Sequence, residues 1–233
     1  MLTGAGISAE SGIRTFRASD GLWEEHRIED VATPEGYAAD PALVHAFYDQ
    51  RRRAARAAEP NAAHRALAEL AERVPNEVLI VTQNIDDLHE RAGSSRVIHI
   101  HGELGSALCE ACGRRMPWTQ DLAGRPPCRV CGERVLRPDV VWFGEAVYAL
   151  DEIFDAVALC EEFWVVGTSG AVTPAASLVA VAAEAGARTA LLNLEAHDDV
   201  RLFDEVVLGP ATETVPAFAA RISRHRGGVG GRG

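Results

Sequence analysis

Four of the five cysteines are spaced as ligands of a single metal ion. Cys109, Cys112, Cys128 and Cys131 follow the pattern C-x2-C-x15-C-x2-C. Each C-x-x-C pair can present two thiolates to one ion, and four thiolates complete the tetrahedral coordination of Zn²⁺. We therefore predict a structural zinc site without catalysis; two redox pairs or packed core cysteines are the alternatives. Cys160 lies outside this pattern, and we expect it to pack on an apolar helix.

A glycine-rich turn near the start of the chain could approach a phosphate. The segment Gly4–Ala9 reads Gly-x-Gly-x-x-Ala, which fits a loose form of the dinucleotide-binding fingerprint. The same glycines would also suit an ordinary tight turn. A dehydrogenase should carry an acidic residue at the end of the next strand, about 20 residues after the glycines. Asp20 and Asp30 instead fall in a loop-like stretch, which argues against a dehydrogenase.

Three predicted strands end in polar turns that could bind the same nucleotide. The turns are TQNIDD (Thr82–Asp87), GTSG (Gly167–Gly170) and NLE (Asn193–Glu195). In an open parallel sheet the ligand lies beyond the carboxyl ends of the strands, so these turns would surround one crevice. Thr168 and Ser169 could contact phosphate, and Glu195 could accept a hydrogen bond from a ribose hydroxyl. Each turn alone could be an ordinary connection, but together with the glycine turn they predict a dinucleotide site.

A histidine in the segment HIHGEL is a candidate general base. His99 and His101 fall on one face of a predicted strand, and His101 lies at its end, next to Gly102. An imidazole is neutral near pH 7 and could accept a proton in the crevice. A structural role within the strand is the alternative.

Alternating strands and helices must position these groups. We predict strands at 1–3, 77–82, 96–100, 163–167, 189–194 and 205–209. Helices are predicted at 41–58, 62–74, 150–161, 174–185 and 213–224, and Asn61 is a plausible N-cap of the second. This order predicts the α/β class with a doubly wound parallel sheet. The stretch 102–137 lacks apolar periodicity and is rich in Gly, Pro and Cys, which indicates a separate small module.

Composition and charge limit the kinds of partner that the chain is expected to bind. The 233 residues are 47% hydrophobic and carry a net charge of −11, so we expect no direct nucleic-acid binding. No apolar run approaches the ~20 residues of a membrane-spanning helix, and no leader pattern is recognisable. We therefore expect no membrane association and a cytoplasmic location.

A series of motifs runs through nearly the whole chain in a specific order. The motifs are GAGISAESGIRTFR, TQNIDDLH, HIHGEL, the two C-x-x-C pairs, RPDVVWFGE, GTSG, NLE and GPA. In these motifs the chain resembles the sirtuins, the NAD-dependent protein-lysine deacylases, from Thr3 to about Val215. The resemblance implies a Rossmann-like domain formed by 1–30, 76–101 and 138–226. A smaller domain would combine a helical module at 31–75 with a zinc ribbon at 102–137, and 227–233 would be a disordered tail.

In the reaction that the resemblance implies, NAD is consumed as a co-substrate. The acyl oxygen of a modified lysine attacks C1′ of the nicotinamide ribose, and nicotinamide leaves. His101 then acts as general base on the ribose hydroxyls, so that the 2′-oxygen attacks the acyl carbon. The products are free lysine, nicotinamide and O-acyl-ADP-ribose. The implied catalytic residues are His101, Asn84 and Asp86, the last two near the nicotinamide and its ribose.

The resemblance also implies which residues bind NAD. Ser8 and the backbone near Gly6 would hold phosphate, while Asn193 and Glu195 would hold the adenosine end. The later part of the segment from Gly4 to Trp23 would fold over NAD as a mobile loop. The implied NAD-binding residues are Gly4, Ala5, Gly6, Ser8, Glu10, Arg14, Phe16, Arg17, Trp23, Gln83, Asn84, Ile85, Asp86, Gly167, Thr168, Ser169, Asn193, Leu194, Glu195 and Ala211.

Tyr48 and Arg51 are spaced i, i+3 on a predicted helix and share a face. A phenol and a guanidinium together can clamp a carboxylate, because arginine binds it through two parallel hydrogen bonds. The alternative is a solvated basic face, which we expect of Arg52, Arg53 and Arg56. The chain is similar to the sirtuin subgroup that removes succinyl and malonyl groups, where this pair occurs with a small residue matching Ala32. The similarity implies desuccinylase and demalonylase activity with deacetylation retained.

The segment VVWFGE (140–145) matches the strand-like segment that pairs with the substrate backbone in sirtuins. The implied substrate-binding residues are Ala32, Tyr48, Arg51, Val141, Phe143, Gly144 and Glu145. The implied partners are acylated lysines on other proteins, since this chain has no lysine, and we expect a monomer.

Only Met1 and Leu2 precede the TGAG motif, whereas the family has a longer first strand. We therefore expect either a start further upstream or reduced stability. Two other functions stay open at this point: a protein ADP-ribosyltransferase and a non-catalytic NAD-sensing module.

Overall fold

The computed structural model of the chain describes residues 1–14, 22–23, 26–74, 77–168, 177–196 and 200–227. Its strands are β1 (Leu2–Thr3), β2 (Leu22–Trp23), β3 (His26–Arg27), β4 (Ile80–Thr82), β5 (Val97–His99), β6 (Gly102–Cys109), β7 (Arg115–Pro117), β8 (Leu136–Val140), β9 (Glu162–Val166), β10 (Arg188–Asn193) and β11 (Glu205–Leu208). Its α-helices are α1 (Gly6–Ala9), α2 (Ile28–Val31), α3 (Pro34–Ala39), α4 (Pro41–Ala57), α5 (Ala62–Arg73), α6 (Leu88–Arg91), α7 (Leu150–Ala158), α8 (Leu178–Glu184) and α9 (Ala211–Gly227).

Six strands form the central parallel sheet, in the order β11-β10-β9-β1-β4-β5. β1 lies in the middle, where Leu2 is in register with Val81 on one side and Val165 on the other. The chain leaves the centre toward β4 and β5 and later returns to β9. The carboxyl ends of β1, β4 and β9 therefore meet at one edge, as the doubly wound prediction requires.

Alternate residues of the strands pack on opposite faces of this sheet. Leu2, Val165 and Leu191 point toward the cluster that α7 and α8 complete. Ile80, Trp164 and Leu192 belong to the cluster that α5 and α9 complete on the other face. Because both faces are covered, the strands are mostly apolar, which is why the sequence shows them as short apolar runs.

Two smaller parts complete the structure. Helices α2, α3 and α4 enclose an apolar cluster around Val44, Phe47 and Tyr48. The antiparallel strands β7, β6 and β8 form a three-stranded sheet around the cysteine-rich segment. Trp142, in the loop after β8, packs into the helical cluster. The boundaries of these parts as domains stay predictions.

Local signals explain where the longer helices begin. The Asp40 side chain accepts a hydrogen bond from Leu43 N, and Pro41 occupies the first turn of α4. Asn61 is the N-cap of α5, as predicted, and it also forms a capping box with His64.

Several predicted bounds differ from the structure. β5 ends at His99, and Ile100 and His101 form a turn, so the two histidines do not share a strand face. The reason is Gly102, whose φ of +76° turns the chain into β6 and a second sheet. Helix α7 ends at Ala158, so Cys160 follows the helix instead of lying on it, and packs half-buried against the core.

At the carboxyl end, α9 continues to Gly227, the first residue of the predicted tail, and 228–233 lie outside the described residues. Residues 174–176 of the predicted helix 174–185 also lie outside them, and α8 begins at Leu178. Within the described residues, no helix has the length and apolarity needed to cross a bilayer.

Candidate active site

The glycine turn after β1 packs directly against the turn after β9. Gly6 N donates to Gly167 O over 2.7 Å, and Gly4 N donates to Val166 O over 3.0 Å. A Cβ at Gly4 would lie 2.7 Å from the Cβ of Thr168, and a Cβ at Gly6 would lie 2.7 Å from the Cα of Gly167. Glycine is required here because two backbones touch, and this contact brings two strand ends to one side of the crevice.

A cavity of about 990 Å³ opens beyond the carboxyl ends of β1, β4, β9 and β10. Helix α4 and the loop after β8 form its opposite wall. The predicted NAD-binding residues that line it are Ala5, Gly6, Ser8, Glu10, Arg14, Trp23, Gln83, Asn84, Ile85, Asp86, Gly167, Thr168, Asn193, Leu194, Glu195 and Ala211. His101 and the predicted substrate residues Ala32, Tyr48, Val141, Phe143, Gly144 and Glu145 line it too. Phe16, Arg17 and Ser169 lie outside the described residues.

His101 presents one ring nitrogen as a hydrogen-bond acceptor. Its Nδ1 lies 3.1 Å from the carbonyl oxygen of Gln83. Since a carbonyl can only accept, Nδ1 carries the proton and Nε2 keeps its lone pair. Burial lowers the pKa of His101, with the Gln83 hydrogen bond acting in the opposite direction. The ring is therefore neutral near pH 7, as a general base must be.

Asn84 and Asp86 lie on the same wall and are almost fully buried. Asn84 Nδ2 donates to Ser8 Oγ over 3.1 Å, and Leu88 N donates to Asp86 Oδ1 over 3.2 Å. Burial raises the pKa of Asp86, while hydrogen bonds from Leu88 and Ser8 lower it. Ser8 Oγ also lies 3.4 Å from His64 Nε2. Protein contacts alone therefore hold these side chains in place.

The other strand-end turns are tied to one another. Thr168 Oγ1 donates to Gln83 Oε1 over 2.7 Å, and Asn193 Nδ2 donates to Thr168 O over 3.1 Å. The Glu10 carboxylate accepts from Thr212 N and Thr212 Oγ1, at the start of α9. Glu10 thus caps a helix at the cavity rim, a contact that the sequence did not reveal.

Tyr48 lies in the opposite wall with its hydroxyl fixed. Trp142 Nε1 donates to Tyr48 Oη over 3.1 Å, and the Tyr48 side chain is fully buried. Burial raises the pKa of Tyr48 well above its usual value, so the phenol stays protonated and can donate. Ala32 lines the cavity nearby.

Arg51 is buried but does not line the cavity. Its Nη1 donates to Phe47 O over 2.8 Å. The guanidinium carbon lies 3.2 Å from the centroid of the Phe47 ring and 5.1 Å from that of Trp23. The structure therefore brings Tyr48 to the cavity and leaves Arg51 stacked on aromatic rings.

The prediction that Arg52 belongs to a solvated face is wrong. Arg52 pairs with Asp49, and both side chains are at least 97% buried. Arg52 Nε donates to Leu104 O over 2.7 Å, and Asp49 accepts from Leu122 N and Ala123 N over 2.9 Å. Arg53 and Arg56 are exposed, as predicted.

In the segment 140–145, Val140 is the last residue of β8, and 141–145 form a loop beyond it. Val141 N donates to His101 O over 2.9 Å, and Phe143 N donates to Ala32 O over 3.0 Å. Phe143 is 50% exposed, and Gly144 has a φ of +89°, which turns the chain. The Glu145 carboxylate accepts from Trp142 N and Arg137 Nη2, so it braces this loop.

The four predicted metal ligands come together. The sulfur atoms of Cys109, Cys112, Cys128 and Cys131 all lie within 4.8 Å of one another. Two of the separations are 3.6 Å and 3.9 Å. Four sulfurs at the usual Zn–S distance of about 2.3 Å in a tetrahedron would be about 3.8 Å apart. The cluster therefore fits a structural zinc ion and leaves no ligand position for substrate.

Sequence reasoning missed several residues around the cavity. His64 touches Ser8 from the first turn of α5, and its capping-box position was the only signal for it. Trp142 lies in the VVWFGE motif but was not assigned a role. Other residues that line the cavity lie in the quoted motifs but were not assigned a role: Ala9, Ile13, Val140, Gly209 and Pro210. Val147 and Leu192 line it from outside these motifs.

Comparison with known proteins identifies the family of the chain. The family model described as Sir2 family matches residues 4–174. The chain is 53% identical over 225 residues to the NAD-dependent protein deacylases of Shigella flexneri and Escherichia coli K12, covering 95% of this chain and 82% and 81% of those proteins.

Solved structures of Sir2 proteins superpose on this chain over nearly its whole length. A mutant Sir2 homologue in complex with ADP-ribose superposes with a TM-score of 0.89 at 39% identity, covering 97% of this chain and 92% of that one. A Sir2 homologue in complex with NAD gives 0.87 at 40% identity, covering 97% and 88%. Sir2 bound to an acetylated peptide gives 0.80 at 29% identity, covering 97% and 92%.

The fold defines a protein with a Rossmann-like parallel sheet, a small domain that carries a zinc-type cluster of four cysteines, and a cavity between the sheet and the wall formed by α4 and the loop after β8. The chain belongs to the Sir2 family, the sirtuins.

Proposed function

We propose that this chain is an NAD-dependent protein-lysine deacylase. The observation that carries the proposal is the His101 ring, neutral and with Nε2 accepting, at the wall of a cavity that Asn84 and Asp86 also line. The curated relatives are deacylases by name, and the solved homologues bind NAD and an acetylated peptide. The geometry of His101, the names of the relatives and the complexes of the solved homologues all support NAD-dependent deacylation.

The proposed reaction needs two steps at one site: release of nicotinamide and transfer of the acyl group to the ribose. The acyl oxygen attacks C1′ of the nicotinamide ribose, the bond to nicotinamide breaks, and Asn84 and Asp86 would hold the departing end. His101 Nε2 then takes a proton from the ribose hydroxyls, and the 2′-oxygen attacks the acyl carbon. Water completes the balance: acyl-lysine, NAD and water give lysine, nicotinamide and O-acyl-ADP-ribose.

We further propose that succinyl and malonyl groups are preferred, with acetyl accepted. Tyr48 can donate to a carboxylate, and Ala32 leaves space beside it. Arg51 lies one helical turn away and would have to turn from Phe47 O to reach the same carboxylate. The free carboxylate of a dicarboxylic acyl group would favour this rotation of the Arg51 side chain, because a buried guanidinium forms its strongest hydrogen bonds with a paired anion.

The test is to incubate the protein with NAD and a succinyl-lysine peptide and to follow all masses. Loss of the succinyl group with one nicotinamide and one O-succinyl-ADP-ribose per lysine is the expected result. ADP-ribosylated protein would instead indicate an ADP-ribosyltransferase. NAD that binds but stays intact would indicate a sensing module, and either result overturns the proposal.

A further inference from the structure

Three successive carbonyls of the β4–α6 loop (Gln83–Asp87) accept hydrogen bonds from the segment after β5. His101 Nδ1 binds Gln83 O over 3.1 Å, and His99 Nδ1 binds Asn84 O over 2.8 Å. Leu104 N binds Ile85 O over 2.7 Å. This loop carries Asn84 and Asp86, so the segment after β5 fixes the backbone from which both cavity side chains project.

The two histidines differ in their second ring nitrogen. Nε2 of His99 lies 2.8 Å from Glu90 Oε1, on the helix that follows the loop. A carbonyl and an ionised carboxylate both accept only, so both ring nitrogens of His99 donate and the ring is an imidazolium. Within the described residues, the hydrogen bond to Gln83 is the only one that the His101 ring makes. His99 therefore links the second carbonyl of the loop to Glu90 of α6.

We propose that His99 is a positioning residue, whose cationic ring, held by Glu90, fixes the loop that presents Asn84 and Asp86 to the cavity. The proposal rests on the function proposed above. The side chain of His99 is 9% exposed, so solvent does little to screen its charge. The positive charge also opposes the effect of burial on Asp86 and favours its ionised form.

The charged groups facing His99 set how this link depends on pH. Burial alone would lower the pKa of His99, but Glu90, the Asn84 carbonyl and Glu103 together raise it above the usual value. Asp86 adds a negative charge from the loop, and the nearby His89 is held neutral by its lowered pKa. The link is thus complete below pH 6.5 and weakens as the pH rises through the raised pKa of His99.

Glu90→Gln is the sharpest test, since it keeps the acceptor oxygen and the shape but removes the charge. NMR titration of the His99 ring, without NAD or peptide, should show a pKa lower by ~1 unit in the variant. The alkaline limb of the kcat profile should move to lower pH by the same amount, with KM for the acyl peptide unchanged. Glu59→Gln is the matched control, because Glu59 pairs with Arg91 of the same helix without touching His99.

A second variant, His99→Phe, removes both hydrogen bonds and should lower kcat about tenfold while KM for the peptide changes little. The inference is overturned by a His99 pKa at or below 6.5, by an unmoved alkaline limb in Glu90→Gln, or by full kcat in His99→Phe. An inactive unmodified protein would defeat the proposed function instead, and the ring titration would still decide on the Glu90 link.

Discussion

The cavity has two walls: the wall at the strand ends, which is proposed to bind NAD (the nucleotide wall), and the wall of α4 and the loop after β8, which is proposed to bind the acyl group (the acyl wall). The buried polar groups beneath them are held in different ways. Beneath the nucleotide wall, Ser8, His64 and His89 are buried and neutral, since burial lowers the pKa of His64 to about 4 and that of His89 to about 3. Beneath the acyl wall, Asp49 and Arg52 are buried as a charged pair, and Arg51 lies close by.

This difference indicates how the two walls can respond to ligands. On the nucleotide wall, both the neutral groups and the His99–Glu90 pair are held by protein partners within the fold, so they keep one geometry, which suits chemistry common to all substrates. A buried cation stacked on aromatic rings can be drawn to a new anion, which suits selection among acyl groups. Substitutions on the nucleotide side should therefore affect every substrate alike, and those on the acyl side should discriminate.

The largest effect on activity is expected at the nucleotide wall. His101→Ala removes the base and should lower kcat about 10³-fold for succinyl and acetyl peptides alike. Steady-state kinetics with both peptides measures this, with NAD binding as the control for an intact site. A large loss for only one acyl group would place His101 in acyl recognition and contradict the division between the walls.

The largest effect on stability is expected beneath the acyl wall. Asp49→Ala leaves Arg52 buried without its counter-ion and removes the acceptor of Leu122 N and Ala123 N. Breaking such a buried pair costs about 3–5 kcal/mol, measurable by urea unfolding. The exposed pair Arg53–Asp121 gives the control, since Asp121→Asn should cost under about 1 kcal/mol. Equal costs would show that burial of the charges does not matter here.

Acid should destabilise the folded protein through the two buried histidines beneath the nucleotide wall. In the unfolded chain, His64 and His89 become protonated as the pH falls below about 6.5. In the folded protein they stay neutral until the pH approaches their lowered pKa values, about 4 for His64 and about 3 for His89. The unfolded state then binds more protons, so the free energy of unfolding falls from pH 6.5 toward pH 4, by roughly 3 kcal/mol for His64.

Urea unfolding of the protein and of His64→Gln across this range isolates the contribution of His64. The variant should show a smaller loss than the unmodified protein over the same pH interval. Parallel curves would mean that His64 is not held neutral by the fold.

A selective and smaller effect is expected of Arg51→Met. Removal of the guanidinium should lower kcat/KM for a succinyl peptide about tenfold or more and leave deacetylation within about twofold. Arg53→Met on the same helix is the matched control, because Arg53 is exposed. Equal losses for both acyl groups would contradict a carboxylate clamp.

Local sequence patterns predicted the features that depend on neighbouring residues. The Asn61 cap and the strand-end turns were predicted because each depends on a few neighbouring residues. The cysteine cluster was predicted because two C-x-x-C pairs form a regular pattern in one continuous segment. The fold class followed from the alternation of strands and helices. The resemblance to sirtuins added the roles of the site residues, which spacing alone left open.

Features that depend on distant contacts were not predicted. Arg52 is buried because Asp49 binds backbone amides of Leu122 and Ala123, more than 70 positions away along the chain. The position of Arg51 depends on its stacking with Phe47 and Trp23. The turn at Ile100 and His101 depends on Gly102 joining a second sheet. Sequence periodicity reflects local structure, so it does not indicate contacts between residues that are far apart along the chain.

The most direct test is a crystal structure with a non-hydrolysable carba analogue of NAD and a succinyl-lysine peptide. We expect His101 Nε2 to lie within about 3.2 Å of a hydroxyl of the nicotinamide ribose, with Asn84 and Asp86 at the same end of the ligand. A His101 ring at more than about twice that distance, or a nucleotide bound with its adenine at this end, would contradict it.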